Sequence, residues 1–155
     1  AYYTERVLHS LLEAATLATR ADGGSVMLYD PSGEVLTIQA AEGLEESVIA
    51  STRRKRGEGL AGLAAVERAI LLVDDETQDE RLKHRMSRAA VCSSIIAPLI
   101  PDATRDPIGV LNLRTSSPQK RFTKEHVELL KRLLDIAGVA LNSLRATSLP
   151  LTQPS

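Results

Sequence analysis

Between Phe122 and Leu144 the chain reads FTKEHVELLKRLLDIAGVALNSL. The spacing of apolar residues in this stretch predicts a helix that is greasy on two sides. Thr123 can cap it, because a hydroxyl oxygen there satisfies an early backbone N–H that has no partner inside the helix. Phe122 just before that cap and Val127 four residues after it have the spacing of a hydrophobic staple. Beyond the cap, Val127, Leu130, Leu134, Ala137, Leu141 and Leu144 alternate steps of three and four, a heptad seam. Leu129, Leu133, Ile136 and Ala140 form a second set beside it. One stripe docks a helix on its own domain. Two stripes predict a helix that covers its own core and also meets another helix, from a second copy of the chain. A single wide core face is the blander reading of the same pattern.

Upstream, the sequence alternates helical and strand periodicities. Tyr2 to Ala21 reads as a helix with Leu8, Leu11, Leu12, Ala15 and Ala18 on one side, stopped by Asp22-Gly23-Gly24. Ser25–Asp30 and Glu34–Ala41 alternate like strands, and Asp30-Pro31-Ser32-Gly33 between them is turn chemistry, so a hairpin is expected. Strict alternation puts Val26, Leu28, Leu36, Ile38 and Ala40 on one face, with Met27, Tyr29, Thr37 and Gln39 on the other. A short helix over Leu44–Thr52, a glycine-rich turn, a helix through Glu67 and a strand over Ala69–Val73 follow. After an acidic loop, Arg81–Ala90 is helical in composition. Ser94–Ile100 and Ile108–Arg114 read as two more strands. Residues 1–147 are therefore expected to form one domain and 148–155 (SLPLTQPS) a linker or disordered tail. Helix, hairpin, helices and then strands ending in a helix is an α+β order. The terminal helices would cover one face of a mostly antiparallel sheet, and the middle helices and loops the other.

Composition narrows the function. A formal net charge of −1 with both signs interspersed gives no broad pull toward nucleic acid or membrane. With three Tyr, one Phe and no Trp, base-stacking platforms are not expected. One cysteine cannot form an internal disulfide and fits a reducing, cytoplasmic compartment. No apolar run approaches the ~20 residues of a membrane span.

Several local motifs invite sharper readings. Gly57-Glu58-Gly59-Leu60-Ala61-Gly62 matches G-x-G-x-x-G, but a dinucleotide site needs a buried parallel strand immediately before it. The preceding STRRKR is too charged for that, so the glycines are read as a tight approach to a short helix whose start is expected to line a pocket. Arg53-Arg54-Lys55-Arg56 reads as a solvated basic face. The carboxylates between Asp74 and Glu80 lack the alternating ligands and glycine of a calcium loop, so no metal site is expected. His9 and His126 read as surface residues, and no Ser–His–Asp or paired-acid arrangement suggests catalysis.

Taken in order, ADGGSVMLYD (21–30), AAEGL (40–44), RGEGLAGLA (56–64), ILLVDD (70–75), SSIIAPLI (93–100), IGVLNL (108–113) and FTKEHVELL (122–130) make the chain resemble a GAF domain. The resemblance implies an antiparallel sheet of five to six strands with a ligand pocket on one face. It also implies a sensory or regulatory role inside a signalling protein, and dimerisation through the first and last helices. The family's cyclic-nucleotide pattern, Asn-Lys…Phe-x-x-x-Asp-Glu, fails here: Leu113 follows Asn112, and His126-Val127 stand after Phe122. Cys92 precedes a strand and is followed by Ser93, unlike a bilin-attachment site. A lone cysteine cannot complete the thiol–disulfide cycle of the family's free-methionine-sulfoxide reductases. His84 lies in the stretch where some members bind haem, but nothing else demands a haem cavity, and no cofactor is assigned.

Strand parity then nominates Met27, Tyr29, Gln39, Val110 and Asn112 as ligand-facing residues. Asn112 is the most informative, since a polar side chain in a central strand needs a bonding partner. The interface with a second copy is expected to use Leu8, Leu11, Val127, Leu130, Leu134, Ala137, Leu141 and Leu144. The resulting expectation is a non-enzymatic module that senses an unknown small molecule and signals to an output domain of the same polypeptide. A dimerisation or protein-interaction unit with no small ligand is the alternative, and a dinucleotide-binding enzyme fragment a more remote one.

Overall fold

The computed structural model describes the backbone of residues 2–85 and 92–151 and the side chains through Leu144. It is an α+β fold built on six strands in the order β3-β2-β1-β6-β5-β4, with every neighbouring pair antiparallel. In chain order the strands are β1 (Gly23–Tyr29), β2 (Val35–Glu42), β3 (Arg53–Lys55), β4 (Leu71–Asp74), β5 (Ser93–Leu99) and β6 (Gly109–Thr115). The helices are α1 (Tyr2–Thr19), α2 (Glu46–Ser51), α3 (Gly59–Glu67), α4 (Glu80–Lys83) and α5 (Lys124–Leu151).

The sheet separates two apolar layers. On one face, Leu8, Leu11 and Leu12 of α1 and Leu130, Ala137 and Leu141 of α5 pack on Val26, Ile95, Leu111 and Leu113. On the other, Ala61, Ala64 and Ala65 of α3 press close to Met27, Leu36, Val73, Ile96 and Val110. Alanines suit that second position because their small side chains let a nine-residue helix approach the strands closely.

Three local features depart from the sequence expectation. First, α1 ends before Asp22. Arg20 takes a left-handed conformation (φ 59°) and the Ala21 N–H donates to the Thr16 carbonyl at 3.1 Å, a Schellman stop. Gly23 and Gly24 instead lie inside β1, where a Cβ on Gly24 would come within 2.5 Å of the Asn112 carbonyl oxygen. Second, the register of β1 on β2 shifts between Val26, opposite Ala40, and Met27, opposite Ile38. Gln39 is the extra residue of this bulge, and one extra residue reverses side-chain parity. Leu36 and Ile38 therefore share the α3 face with Met27, instead of the terminal-helix face assigned by strict alternation. Third, Arg53–Lys55 of the basic cluster is an edge strand paired with Val35–Thr37, where charge also discourages further strand pairing.

The last helix begins with the expected staple, but among the described residues the Thr123 hydroxyl oxygen accepts no backbone N–H and meets His126 Nδ1 at 3.5 Å instead. Phe122 is buried and packs in the same layer as Val127, while the Thr123 N–H donates to His126 Nδ1 at 3.0 Å. His126 so reaches back like the third-turn-position acid of a capping box. The helix then continues to Leu151, past the boundary expected at Ser148. Arg145 and Ala146 favour helix and no glycine offers a stop before Pro150. Residues 152–155 of the expected tail, and 86–90 of the helix expected over Arg81–Ala90, lie outside the described residues.

The two stripes of α5 have different fates. Leu130, Ala137 and Leu141 are buried under the sheet, and Val127, Leu134 and Leu144 are half-buried. With Leu8 and Leu11 also buried, most of the residues expected at an interface between copies have their apolar surface committed to their own chain. Of the second set, Leu133 packs against the core and Ala140 is half-buried. Only Leu129 (42% exposed) and Ile136 (67%) face outward, joined there by Val139 (71%), which the spacing did not place in either stripe.

Candidate functional site

A cavity of about 230 Å³ opens on the α3 side of the sheet. Its floor is Ser25 and Met27 of β1, Ile96 of β5 and Asn112 of β6; Val48 and Thr52 by α2 and Leu60 and Ala61 of α3 wall it. Arg54, Arg85 and Arg114 reach it from three separate segments. A broader groove of about 520 Å³ lies on the opposite side, between α5 and the Pro98–Pro101 end of β5. The smaller cavity has the features of a ligand site: a mixed lining in which apolar side chains surround a few convergent polar groups.

The parity-derived residues distribute unevenly around it. Met27 and Asn112 line the cavity. Asn112 Nδ2 donates to Ser25 Oγ at 3.2 Å, the bond its place in a central strand requires. Val110 is fully buried in the layer beneath α3. Tyr29 packs on the edge of that layer with the Arg56 guanidinium 5.9 Å from its ring, off the cavity. Burial raises the Tyr29 phenol above its ordinary value against the opposing pull of Arg56. Gln39, the bulge residue, is exposed and donates to Thr37 Oγ1 at 2.9 Å; the bulge takes it out of the site.

The glycine-rich turn is structural and also borders the cavity. Gly57 and Gly59 have φ of 79° and 68°, and a Cβ on Gly62 would sit 2.4 Å from the Gly57 carbonyl carbon. The loop thus folds onto itself at the start of α3. Arg85 braces it, with Nη1 donating to the Gly57 carbonyl at 2.7 Å and the Gly59 carbonyl at 3.1 Å.

Two strand ends tie the cavity wall to α5. Ser93 lines the cavity and its Oγ accepts the Phe122 N–H at 3.1 Å. Asp74, also on the wall, lies 3.7 Å from Arg121 Nη1, and Asp75 lies 2.6 Å from it. The hydrogen bond from Arg121 holds the Asp75 carboxyl below its ordinary range. Asp22, at the start of β1, is lowered in the same way by Lys120 at 2.9 Å and by the Ser116 N–H. A depressed carboxylate stabilises the fold above its unfolded value of about 3.9 and loses that contribution as pH falls through its lower folded value. Asp22→Asn is therefore expected to lower Tm at pH 7 and to flatten the fall of Tm below about pH 4, read by thermal melts across pH.

His84 is 82% exposed on its side chain, faces Glu80 at 3.9 Å and does not line the cavity. Asp79 caps α4 by accepting the Arg81 N–H at 2.9 Å. Among the described residues, no group of three or more His, Cys, Asp or Glu could hold a metal ion, and no helix is long and apolar enough to cross a membrane.

Sheet order and helix layers define an α+β domain with a cavity on one face of its sheet, and the family profile of the GAF domain matches residues 4–142. The chain belongs to the GAF domain family. It is similar to the Nif-specific regulatory protein of Klebsiella pneumoniae, 29% identical over 132 residues. That match covers 82% of this chain but 24% of the relative, so the chain spans about a quarter of the length of that protein. Among solved structures it resembles the second GAF domain of DevS from Mycobacterium smegmatis, with 25% identity, TM-score 0.74, and 94% and 97% of the two chains covered. The fold is also that of a type II free methionine-R-sulfoxide reductase from Thermoplasma acidophilum, with 17% identity, TM-score 0.66, and 90% and 95% covered. One architecture thus carries both regulatory domains and an enzyme, and function must be argued from the site.

Proposed function

We propose that this GAF domain is a non-enzymatic sensor that holds a small molecule in the cavity beneath α3. It passes occupancy through α5 to a second copy and to an output domain of the same polypeptide. The observation that carries this reading is the bond from the Phe122 N–H to Ser93 Oγ. A ligand that shifts the β5 end of the cavity wall shifts the first turn of α5 with it, and the Arg121 pairs with Asp74 and Asp75 reinforce the link. The short span of the chain relative to the Nif-specific regulatory protein suits a module that acts on neighbouring domains.

The outward stripe of Leu129, Ile136 and Val139 is the surface for the second copy, in place of the seam buried in the core. Ile136→Glu puts a charge in that stripe without touching the core, so sedimentation velocity at tens of micromolar should show monomer where the parent chain dimerises. An unchanged dimer would sink the interface. Native mass spectrometry of protein purified from its source tests the other half. A bound small molecule supports sensing, whereas a dimer that is repeatedly empty favours a pure dimerisation unit.

A further inference from the structure

The cavity's charge is strongly one-sided. Arg54, Arg85 and Arg114 all line it and all are half-buried; among the described residues none forms a salt bridge, though the Asp22 carboxylate lies within the electrostatic reach of Arg114. Their polar partners are backbone carbonyls: Arg53 for Arg54, Gly57 and Gly59 for Arg85, Gly43 for Arg114. Arg114 Nε is buried and has no partner at all. The one acid in the lining, Asp74, is drawn outward, accepting the Glu76 N–H at 2.8 Å and facing Arg121.

The start of α3 adds to the same field. Glu58, its N-cap, makes no side-chain cap bond, and its carboxylate instead accepts the Lys55 N–H at 3.3 Å. The first amides of α3, at Gly59, Leu60 and Ala61, lack partners within the helix, and these residues border the cavity. Free amides and the positive end of a nine-residue helix favour an anion there.

Resting on the sensor reading above, we propose that the cavity's ligand is a small organic acid or phosphate, gripped by Arg54 and Arg114 with the α3 amides. Guanidinium forks match carboxylate and phosphate oxygens in pairs, and three of them gathered around one outward-drawn acid cost the empty protein electrostatic repulsion that an anion removes. A volume of about 230 Å³ is below the ~300–1,000 Å³ of drug-sized sites, which points to a compact acid and not a nucleotide.

The test uses the whole chain and four probes at equal ionic strength: succinate, inorganic phosphate, neutral succinamide and cationic putrescine. Succinate or phosphate at millimolar concentration should raise Tm, and succinamide and putrescine should not. In calorimetric titration, Arg54→Gln and Arg114→Gln should each weaken the acid about ten- to a hundred-fold. Arg54→Lys should recover part of the loss, and Arg105→Gln, in the exposed β5–β6 loop, should change nothing. Arg54 bonds only the carbonyl next to it in sequence, so its variants report on binding even if Arg114→Gln unfolds.

If neither acid shifts Tm, or succinamide does as well as succinate, or Arg105→Gln weakens binding as much as Arg54→Gln, the anion assignment is overturned. Binding of succinamide without charge preference would overturn it while leaving the sensor reading intact. The sensor reading stands or falls on the Ile136→Glu sedimentation and on native mass spectrometry.

Discussion

Replacing Leu130 with alanine is expected to lower the unfolding free energy by about 2–5 kcal/mol, measured by chemical denaturation. Leu130 is fully buried between α5 and the sheet, in the layer that also holds Leu8, Leu12, Ile95 and Leu113. Truncation removes transfer free energy and leaves a void that the sheet side cannot close, because its strands are locked by hydrogen bonds on both edges. The matched experiment is Ile136→Ala, six positions along the same helix but 67% exposed. Its effect on the fold of one chain should stay within about 0.5 kcal/mol. A Leu130→Ala loss no larger than that would mean that α5 does not pack on its own sheet by this stripe.

Gly109→Ala should be as damaging by the opposite mechanism. Gly109 pairs with Leu28 on one side and Leu99 on the other, at the crossing of the three central strands. A Cβ there would lie 2.0 Å from the Met27 carbonyl oxygen and 3.0 Å from the Leu28 Cα. Both are backbone atoms, so no side-chain rotation relieves the clash, and β1 and β6 must separate. Overpacking of this kind costs about 1–3 kcal/mol, and more where backbone must move. Loss of the folded state at 37 °C, or a fall in Tm of about 10 °C or more, is the expected outcome in thermal melts. Wild-type stability in this variant would show that β6 does not approach β1 as described.

Much of the fold was legible in the sequence because its signals are local. The Asp30–Gly33 turn, the alternating strands, the Phe122 staple and the 3-and-4 spacing of α5 each act within a few residues. Which stripe of α5 faces inward was a different question, since both are equally apolar. The clue was the staple itself: Phe122 and Val127 must lie on one side, and a buried Phe122 draws the Leu130–Leu141 stripe in with it. The bulge at Gln39 had no such clue, because an extra residue on one strand is defined only by the partner strand, and Leu36 and Ile38 changed faces with it. Arg53–Lys55 hid as a strand because edge pairing asks little of side chains and tolerates charge.

The candidate site was half legible. Met27 and Asn112 follow from parity, but Arg54, Arg85 and Arg114 come from segments about thirty residues apart that only the fold gathers. Arg54 was visible in the sequence as part of a basic run. No spacing rule could have separated it from its solvated neighbours, and the short strand that turns it toward the cavity is itself invisible to hydrophobic pattern.

The 28 residues of α5 make a rod about 42 Å long, at about 1.5 Å per residue, whose base is fastened to the cavity wall. Such a rod is a lever. A tilt of only about 5° at Phe122 would swing its far end by about 4 Å, roughly two-thirds of the rise of a helical turn. Under the proposed sensor reading, a small shift at the cavity wall would therefore be enlarged along α5 into a displacement of several ångströms at its far end.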